Sequence, residues 1–298
     1  MLRNEDIQVL VEALPYLRDF KGKTVVVKYG GNAMINEDIK TKVLQDIVFL
    51  QCAGLRPVVV HGGGPEITSM LAKAGKKSRF VSGLRVTDAE SVGIAEMALV
   101  GKINTDLVAR LNVQGGCAVG LNGKDAKLIV AKKHLADVYE NGEVNLVDIG
   151  YVGNVEKVNT GLLTVLLDNG YIPVIAPTGV GATGETYNIN ADSVAGEIAG
   201  ALKAEKLLIL TDVKGIYADY KDENSFISTL SFEKAQELII RGSIDGGMIP
   251  KVKACITALS GGAKKAHIID GRAEHTILSE ILSDEGIGTE VVKEVAAK

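Results

Sequence analysis

Residues 24–32, TVVVKYGGN, and 56–67, RPVVVHGGGPEI, follow one plan, a short valine-rich run that ends in glycines. Both runs are too short for an independent helix and rich in β-branched residues, which reads as strands buried on both faces. In the second, Pro65 follows the glycines where a helix begins, a position that has no use for the missing N–H. Strand, glycine turn and helix in that order bring backbone N–H groups and a helix N-terminus to the carboxyl end of a strand, where open parallel sheets bind ligands. Three consecutive glycines, Gly62 to Gly64, exceed what a tight turn needs, and Lys28 stands beside the other pair, Gly30 and Gly31. The two clusters read as an anion cradle.

The same plan extends outward. YIPVIAP (171–177), KLLILTD (206–212) and KAHIID (265–270) are further buried strands. Helical periodicity lies between them at 37–53, 65–74, 89–112, 160–168, 191–203, 231–241, 248–260 and 275–283. Such alternation predicts an α/β fold, a mostly parallel sheet sandwiched by helices. Alternating segments at 79–88, 117–132 and 144–158 predict hairpins added to it. No Pro/Gly/Ser linker interrupts the chain, so lobes at 21–185 and 186–298 are expected to share one continuous sheet within a single domain. Asn36 is placed to N-cap the helix from 37, with Glu37 and Asp38 in its first turn and Gly54 past its end. Residues 4–20 form a separate helix with Ile7, Leu10, Val11, Leu14 and Leu17 on one face. That stripe packs either on its own subunit or on another, and Pro15 is expected to kink the helix.

With 298 residues, the chain is long enough for two lobes at about 150 residues each. Apolar residues make up 46% and charged residues 23%, a globular composition, and the net charge of −4 offers no basic footprint for nucleic acid. Three cysteines without CxxC spacing and four scattered histidines predict neither a disulfide framework nor a metal site. Cys52 and Cys255, in apolar helical stretches, are expected to be buried thiols. No leader or membrane span is legible, and a reducing, cytoplasmic compartment fits, as the stroma of an organelle would.

Two more motifs stand at helix starts. YNINAD (187–192) supplies Asn190 as an N-cap, but a cap leaves Asn188 and Asp192 unexplained. GGMIPK (246–251) sets glycines and Lys251 before a helix, and lysines from opposite ends of the chain suit a clamp on a transferring phosphoryl group. A Walker motif is absent. GVGATG (179–184) matches GxGxxG but lies too far from the next helix start, near Asn190, to set a pyrophosphate on it, so a dinucleotide oxidoreductase is not supported.

VVKYGG, HGGGPEI, FVSGLRVTD, YNINAD, TDVKGIY and GGMIPKV occur in this order over residues 25–252. Together they resemble the amino-acid kinase family and, within it, the acetylglutamate kinases of arginine biosynthesis. The resemblance implies transfer of the γ-phosphoryl of ATP to the γ-carboxylate of N-acetyl-L-glutamate. By the same resemblance Lys28 and Lys251 flank the phosphoryl, Asp192 orients both, and Gly31 and Gly64 donate N–H bonds to it. Gly63 and Gly64 position the substrate carboxylate, Arg85 pairs with its α-carboxylate, and Asn188 and Asn190 assist. Lys28, Gly30, Gly31, Asp212, Lys214, Gly215, Ile216, Tyr217, Gly247, Met248 and Lys251 are implied at ATP. Mg2+ is implied on phosphates and water, with no protein ligand. A carboxylate nucleophile is already ionised at neutral pH, so the absence of a general-base pair is no obstacle.

Members with a kinked N-terminal helix are arginine-inhibited hexamers, trimers of dimers, and residues 4–20 resemble that helix. HIIDGRAEHTILSEILSDEGIGT (267–289) resembles the arginine-sensitive members, which implies an arginine site at Tyr16, Lys206, His267, Glu280 and Gly286. Some relatives bind the PII nitrogen-signalling protein, a further partner for which no surface is legible in these residues. Two alternatives stay open: another kinase of the family acting on a carboxylate, carbamate or nucleotide, and a non-catalytic arginine or ATP sensor. The presence of Lys28, Lys251 and Asp192 together counts against the sensor.

Overall fold

The computed structural model describes residues 3–34, 36–140, 143–219, 221–244, 246–283 and 286–294. Met1, Leu2, Asp284 and Glu285, which fall in expected elements, lie outside these residues, as do the side chains of Leu10 and Asn32. In chain order the strands are β1 Thr24–Tyr29, β2 Arg56–His61, β3 Phe80–Val81, β4 Leu84–Arg85, β5 Ala118–Asn122, β6 Ile129–Glu140, β7 Glu143–Val158, β8 Ile172–Ala176, β9 Thr178–Val180, β10 Thr186–Asn188, β11 Lys206–Thr211, β12 Ile216–Tyr217, β13 Phe226–Ile227, β14 Thr229–Ser231, β15 Lys265–Asp270 and β16 Thr289–Val292. The helices are α1 Asn4–Glu12, α2 Leu14–Phe20, α3 Glu37–Cys52, α4 Gly64–Lys73, α5 Ala89–Glu96, α6 Thr105–Val113, α7 Gly161–Asp168, α8 Ala191–Ala201, α9 Phe232–Ile240, α10 Ile249–Gly261 and α11 Thr276–Ile281.

Eight strands form one sheet in the order β14-β16-β15-β11-β1-β2-β8-β5, parallel except where β16 runs against β15. Its strands are apolar on both faces because both faces are covered. Val26, Val58, Val60, Leu207 and Ile209 pack toward the core shared with α8 and α10, while Val25, Val27, Val59, Leu208 and Leu210 pack toward α3, α6 and α11. The alternation of strand side chains thus divides one valine-rich run between two cores. Asn36 caps α3, its side chain accepting from the amides of Asp38 and Ile39, a contribution of about 1 kcal/mol. Among the described residues, no helix is long and apolar enough to cross a membrane.

Some expectations change. Neither 117–132 nor 144–158 is a hairpin by itself, and 144–158 lies within the single strand β7. β5 joins the sheet edge parallel to β8, and β6 pairs antiparallel with β7 in a small closed barrel with β9 and β10. Between them a tight turn at Asp125–Lys127 holds Ala126 and Lys127 at positive φ and redirects the chain. The N-terminal helix is interrupted at Ala13, where the backbone stays helical, with Pro15 in the first turn of α2, as expected of a proline kink. Lacking the N–H that would bond to Val11, Pro15 cannot continue α1. The stretch 89–112 includes a π-helical turn, Met97–Asn104, between α5 and α6. Cys52, at the outward end of α3, is exposed, whereas Cys255 is buried.

Candidate active site

The carboxyl ends of β1, β2 and β11 and the N-termini of α4, α8 and α10 converge on one cleft, as the crevice rule for parallel sheets requires. Asp192 enters from the first turn of α8, whose cap is the side chain of Asn190, accepting from the amides of Asp192 and Ser193. One carboxylate oxygen of Asp192 lies 2.9 Å from Lys28 Nζ and the other 3.6 Å from Lys251 Nζ. Burial pushes the Asp192 carboxyl up, but the charges of Lys28 and Lys251 outweigh it and hold the group below its ordinary value. Lys251 also donates to the Gly247 carbonyl at 2.9 Å, which ties its ammonium to the start of α10. Each lysine therefore has its ammonium placed before any ligand arrives.

The two glycine loops meet beside this triad. The Gly62 amide donates to the Tyr29 carbonyl at 2.7 Å, joining the end of β2 to the end of β1. Gly31 sits at φ +71°, a conformation that side chains with a Cβ rarely adopt.

Two cavities open on either side. One, of about 290 Å³, is lined by Lys28, Gly62 to Gly64, Arg85, Asn188, Asn190 and Asp192 among others. The second, of about 350 Å³, is lined by Lys28, Gly30, Gly31, Asp212, Gly247, Met248 and Lys251 among others. Lys28 and Gly31 belong to both. The remaining residues expected at a nucleotide line the continuation of the second cavity, with Gly215, Ile216 and Tyr217 in one recess and Lys214 and Tyr217 in another of about 550 Å³.

Arg85 is buried in the wall of the first cavity. It donates to Ser78 Oγ, to the Gly64 carbonyl at 3.0 Å and to Thr68 Oγ1 at 2.8 Å, and it stacks over Phe80 at 4.7 Å. Burial pulls the guanidinium below its ordinary value. These bonds engage both terminal nitrogens, while Nε–H donates to no group among the described residues.

Lys206, His267 and Glu280 form a separate buried cluster. Lys206 Nζ and His267 Nδ1 each lie 2.9 Å from Glu280 Oε1, and the Ile287 amide donates to Oε2 at 3.0 Å. Burial raises the Glu280 carboxyl, but His267 and Lys206 more than offset it and hold it at about 2. Gly286 lies beside the same carboxylate, and the Phe20 ring at the end of α2 is 5.8 Å from Lys206 Nζ. Tyr16, half-buried on α2, belongs to the helix that reaches this cluster.

Phe226, Arg272, Ser243 and Ile244, which sequence reasoning did not pick out, line the recesses that continue the second cavity. Arg272 follows the strand end at Asp270, to whose carboxylate its guanidinium donates at 2.8 and 2.9 Å and its backbone amide at 2.9 Å. Its place two residues past a parallel strand was a usable signal; the others carry none. GVGATG spans the end of β9 and the turn that leads to β10, well before the start of α8.

A model of the amino acid kinase family matches residues 23–270. Over 288 residues the chain is 58% identical to the acetylglutamate kinase of Moorella thermoacetica, covering 97% of each protein. It is 56% identical over 290 residues to the acetylglutamate kinase of Pelotomaculum thermopropionicum, covering 97% of this chain and 98% of that one. The fold superposes with a TM-score of 0.81, at 29% identity, on N-acetylglutamate synthase from Neisseria gonorrhoeae complexed with coenzyme A and N-acetyl-glutamate, covering 97% of this chain and 64% of that longer protein. With a family model spanning most of its length and relatives this similar end to end, the chain belongs to the amino-acid kinase family and, within it, to the acetylglutamate kinases, which are phosphotransferases.

Proposed function

We propose that the chain transfers the γ-phosphoryl group of ATP to the γ-carboxylate of N-acetyl-L-glutamate, with the acceptor in the smaller cavity and the nucleotide in the larger. The observation that carries this is the shared wall, where Lys28 and Gly31 border both cavities and Asp192 holds Lys28 and Lys251 at 2.9 and 3.6 Å. In the reaction a carboxylate oxygen forms a bond to the γ-phosphorus as the bond to the β–γ bridging oxygen breaks, giving an acyl phosphate and ADP. The two ammoniums neutralise charge spread over the phosphoryl oxygens, and the glycine amides add donors that need no reorganisation. The shared wall is bordered by lysines and glycine amides, with Asp192 engaged by both lysines, a set that suits phosphate oxygens and not a bare cation. Mg2+, when bound, neutralises the nucleotide phosphates, and this chain offers it charge balance through the same set, not a carboxylate cage.

The test is ADP release from MgATP with N-acetyl-L-glutamate against glutamate, aspartate and carbamate. Turnover confined to the acetylated substrate supports the assignment; its absence in folded, ATP-binding protein removes it. Arg85 reads the α-carboxylate with the buried guanidinium that it sets in the wall of the acceptor cavity. Arg85→Lys, which loses the fork, is expected to raise KM for acetylglutamate about tenfold or more with little change in KM for ATP. An equal rise in both would place Arg85 outside the acceptor site.

Arginine is the proposed feedback inhibitor, acting at Tyr16, Lys206, His267, Glu280 and Gly286. An arriving guanidinium would compete with Lys206 for the Glu280 carboxylate. Ile7, Val9, Val11 and Leu14 are exposed along α1 and the start of α2, which favours a subunit contact that builds a hexamer from dimers. Deleting residues 1–20 is expected to give a smaller, active enzyme with weakened arginine inhibition, read by light scattering and inhibition curves. Unchanged inhibition in a deletion shown to be dimeric would sink this role.

A further inference from the structure

The glycine loop after β2 is braced from behind by the π-helical turn Met97–Asn104. Its i→i+5 bonding lets Leu99, Ile103 and Asn104 face the loop together, whereas α-helical spacing would turn Asn104 away from the Leu99–Ile103 face. Leu99 and Ile103 press so closely on Gly63 that a Cβ there would lie 2.6 Å from each side chain. Lys102 holds Glu66, in the first turn of α4, at 2.7 Å. Asn104 is buried, and its Nδ2 lies 2.8 Å from the Val174 carbonyl and 3.1 Å from His61 Nε2. His61 is fully buried, with Nδ1 2.9 Å from the Gly62 carbonyl.

We propose that Asn104 and His61 are positioning residues for phosphoryl transfer: Asn104 sets the His61 tautomer, and His61 holds the Gly62 carbonyl so that the Gly63 N–H is aimed at the reaction cleft. The proposal deepens the kinase reading above and rests on it.

Donor counting fixes each link. The Val174 carbonyl only accepts, so the amide nitrogen of Asn104 must face it. The same nitrogen faces His61 Nε2, which is therefore the accepting ring nitrogen, and the ring proton sits on Nδ1. Burial keeps the imidazole neutral, pushing its pKa down to about 4, so the arrangement persists at neutral pH. Nδ1–H then donates to the Gly62 carbonyl. In a planar trans peptide the C=O and the next N–H point in opposite directions. The Gly63 N–H thus points away from the buried ring, on the side where Gly63 and Gly64 line the acceptor cavity. Among the described residues, neither of these two amides donates to another group of the chain, which leaves both for a ligand.

The experiment compares His61→Asn, His61→Gln and Asn104→Ala in the full-length protein. An asparagine amide N–H stands where Nδ1–H stood and keeps the bond to Gly62; a glutamine amide stands near Nε2 and abandons it. Expected kcat is within about threefold of wild type for His61→Asn, and about tenfold lower or more for His61→Gln and Asn104→Ala, because small misplacements of a reacting group are costly. KM for ATP should barely move. A role in packing alone predicts the reverse order, since glutamine fills the ring's volume better, so His61→Gln matching or exceeding His61→Asn overturns the proposal. Should the variants not fold, nitrogen NMR of the wild-type ring decides. The neutral Nδ1–H form is expected throughout about pH 6 to 8, and an Nε2–H form or an imidazolium there overturns it. Absence of acetylglutamate turnover in the wild type would instead strike the kinase reading and leave the tautomer measurement to judge the relay.

Discussion

Replacing Lys28 or Lys251 by alanine is expected to lower kcat about 100-fold or more, the loss found when one preorganised donor to a developing charge is removed. Both ammoniums are held by Asp192 at the wall between the two cavities, so neither has to travel to reach a phosphoryl group that crosses it. Charge on the equatorial oxygens of that group is met most strongly in the transition state, so the loss should fall on kcat more than on KM. The two positions are not equivalent. Lys28 is the more deeply buried and closer to Asp192, whereas Lys251 is also tethered to the Gly247 carbonyl. Removing Lys251 should therefore also loosen the start of α10 and raise KM for ATP. Because the lysines share one carboxylate, the double variant should lose less than the product of the single losses. Steady-state ADP release, with circular dichroism to confirm the fold, checks all three. A decrease under about threefold in both single variants would remove the lysines from the mechanism.

Asp192→Asn should cost stability as well as activity, roughly 3–5 kcal/mol at neutral pH, because it leaves cationic partners in a buried site without their counter-charge. The pH dependence has a definite sign. The Asp192 carboxyl is raised by burial but lowered further by Lys28 and Lys251, so its folded value lies below the unfolded one. Its contribution to stability is then fully present above the unfolded value of about 3.9 and is lost as pH falls through the lower, folded value. Denaturant unfolding of wild type and variant should show a constant gap from about pH 8 to 5 that narrows below about pH 4. A gap absent at neutral pH, or one that persists undiminished into acid, would show that Asp192 does not carry the buried charge balance of the site.

Much of the fold was legible because strand and helix signals are local. The valine-rich runs at 24–29 and 56–61, the cap at Asn36 and the proline after Gly64 each report the conformation of their own segment. Lys28, the glycines, Asn188, Asp192 and Lys251 could be picked out because strand ends and helix starts are where a parallel sheet places its ligands. The segment 117–132 shows the limit. Its alternation correctly marks strands, but alternation states only which residues share a face and not which strand lies alongside, so β5 and β6 were wrongly paired with each other. Cys52 shows the same limit for a helix end, where apolar neighbours do not say which side the last turn presents.

Composition, periodicity and the order of the glycine motifs were enough to settle the α/β architecture and to place the glycine loops at the sheet's carboxyl edge, because those features depend on neighbours along the chain. The rest required the folded molecule. The bridge from Asp192 to lysines far apart in sequence, the engagement of Arg85 by Thr68 and Gly64, the closure of Lys206 and His267 on Glu280, and the π turn that carries Asn104 to His61 all depend on distances between segments. Those distances are set by how two cores pack against one twisted sheet, a property that the local pattern of residues does not contain.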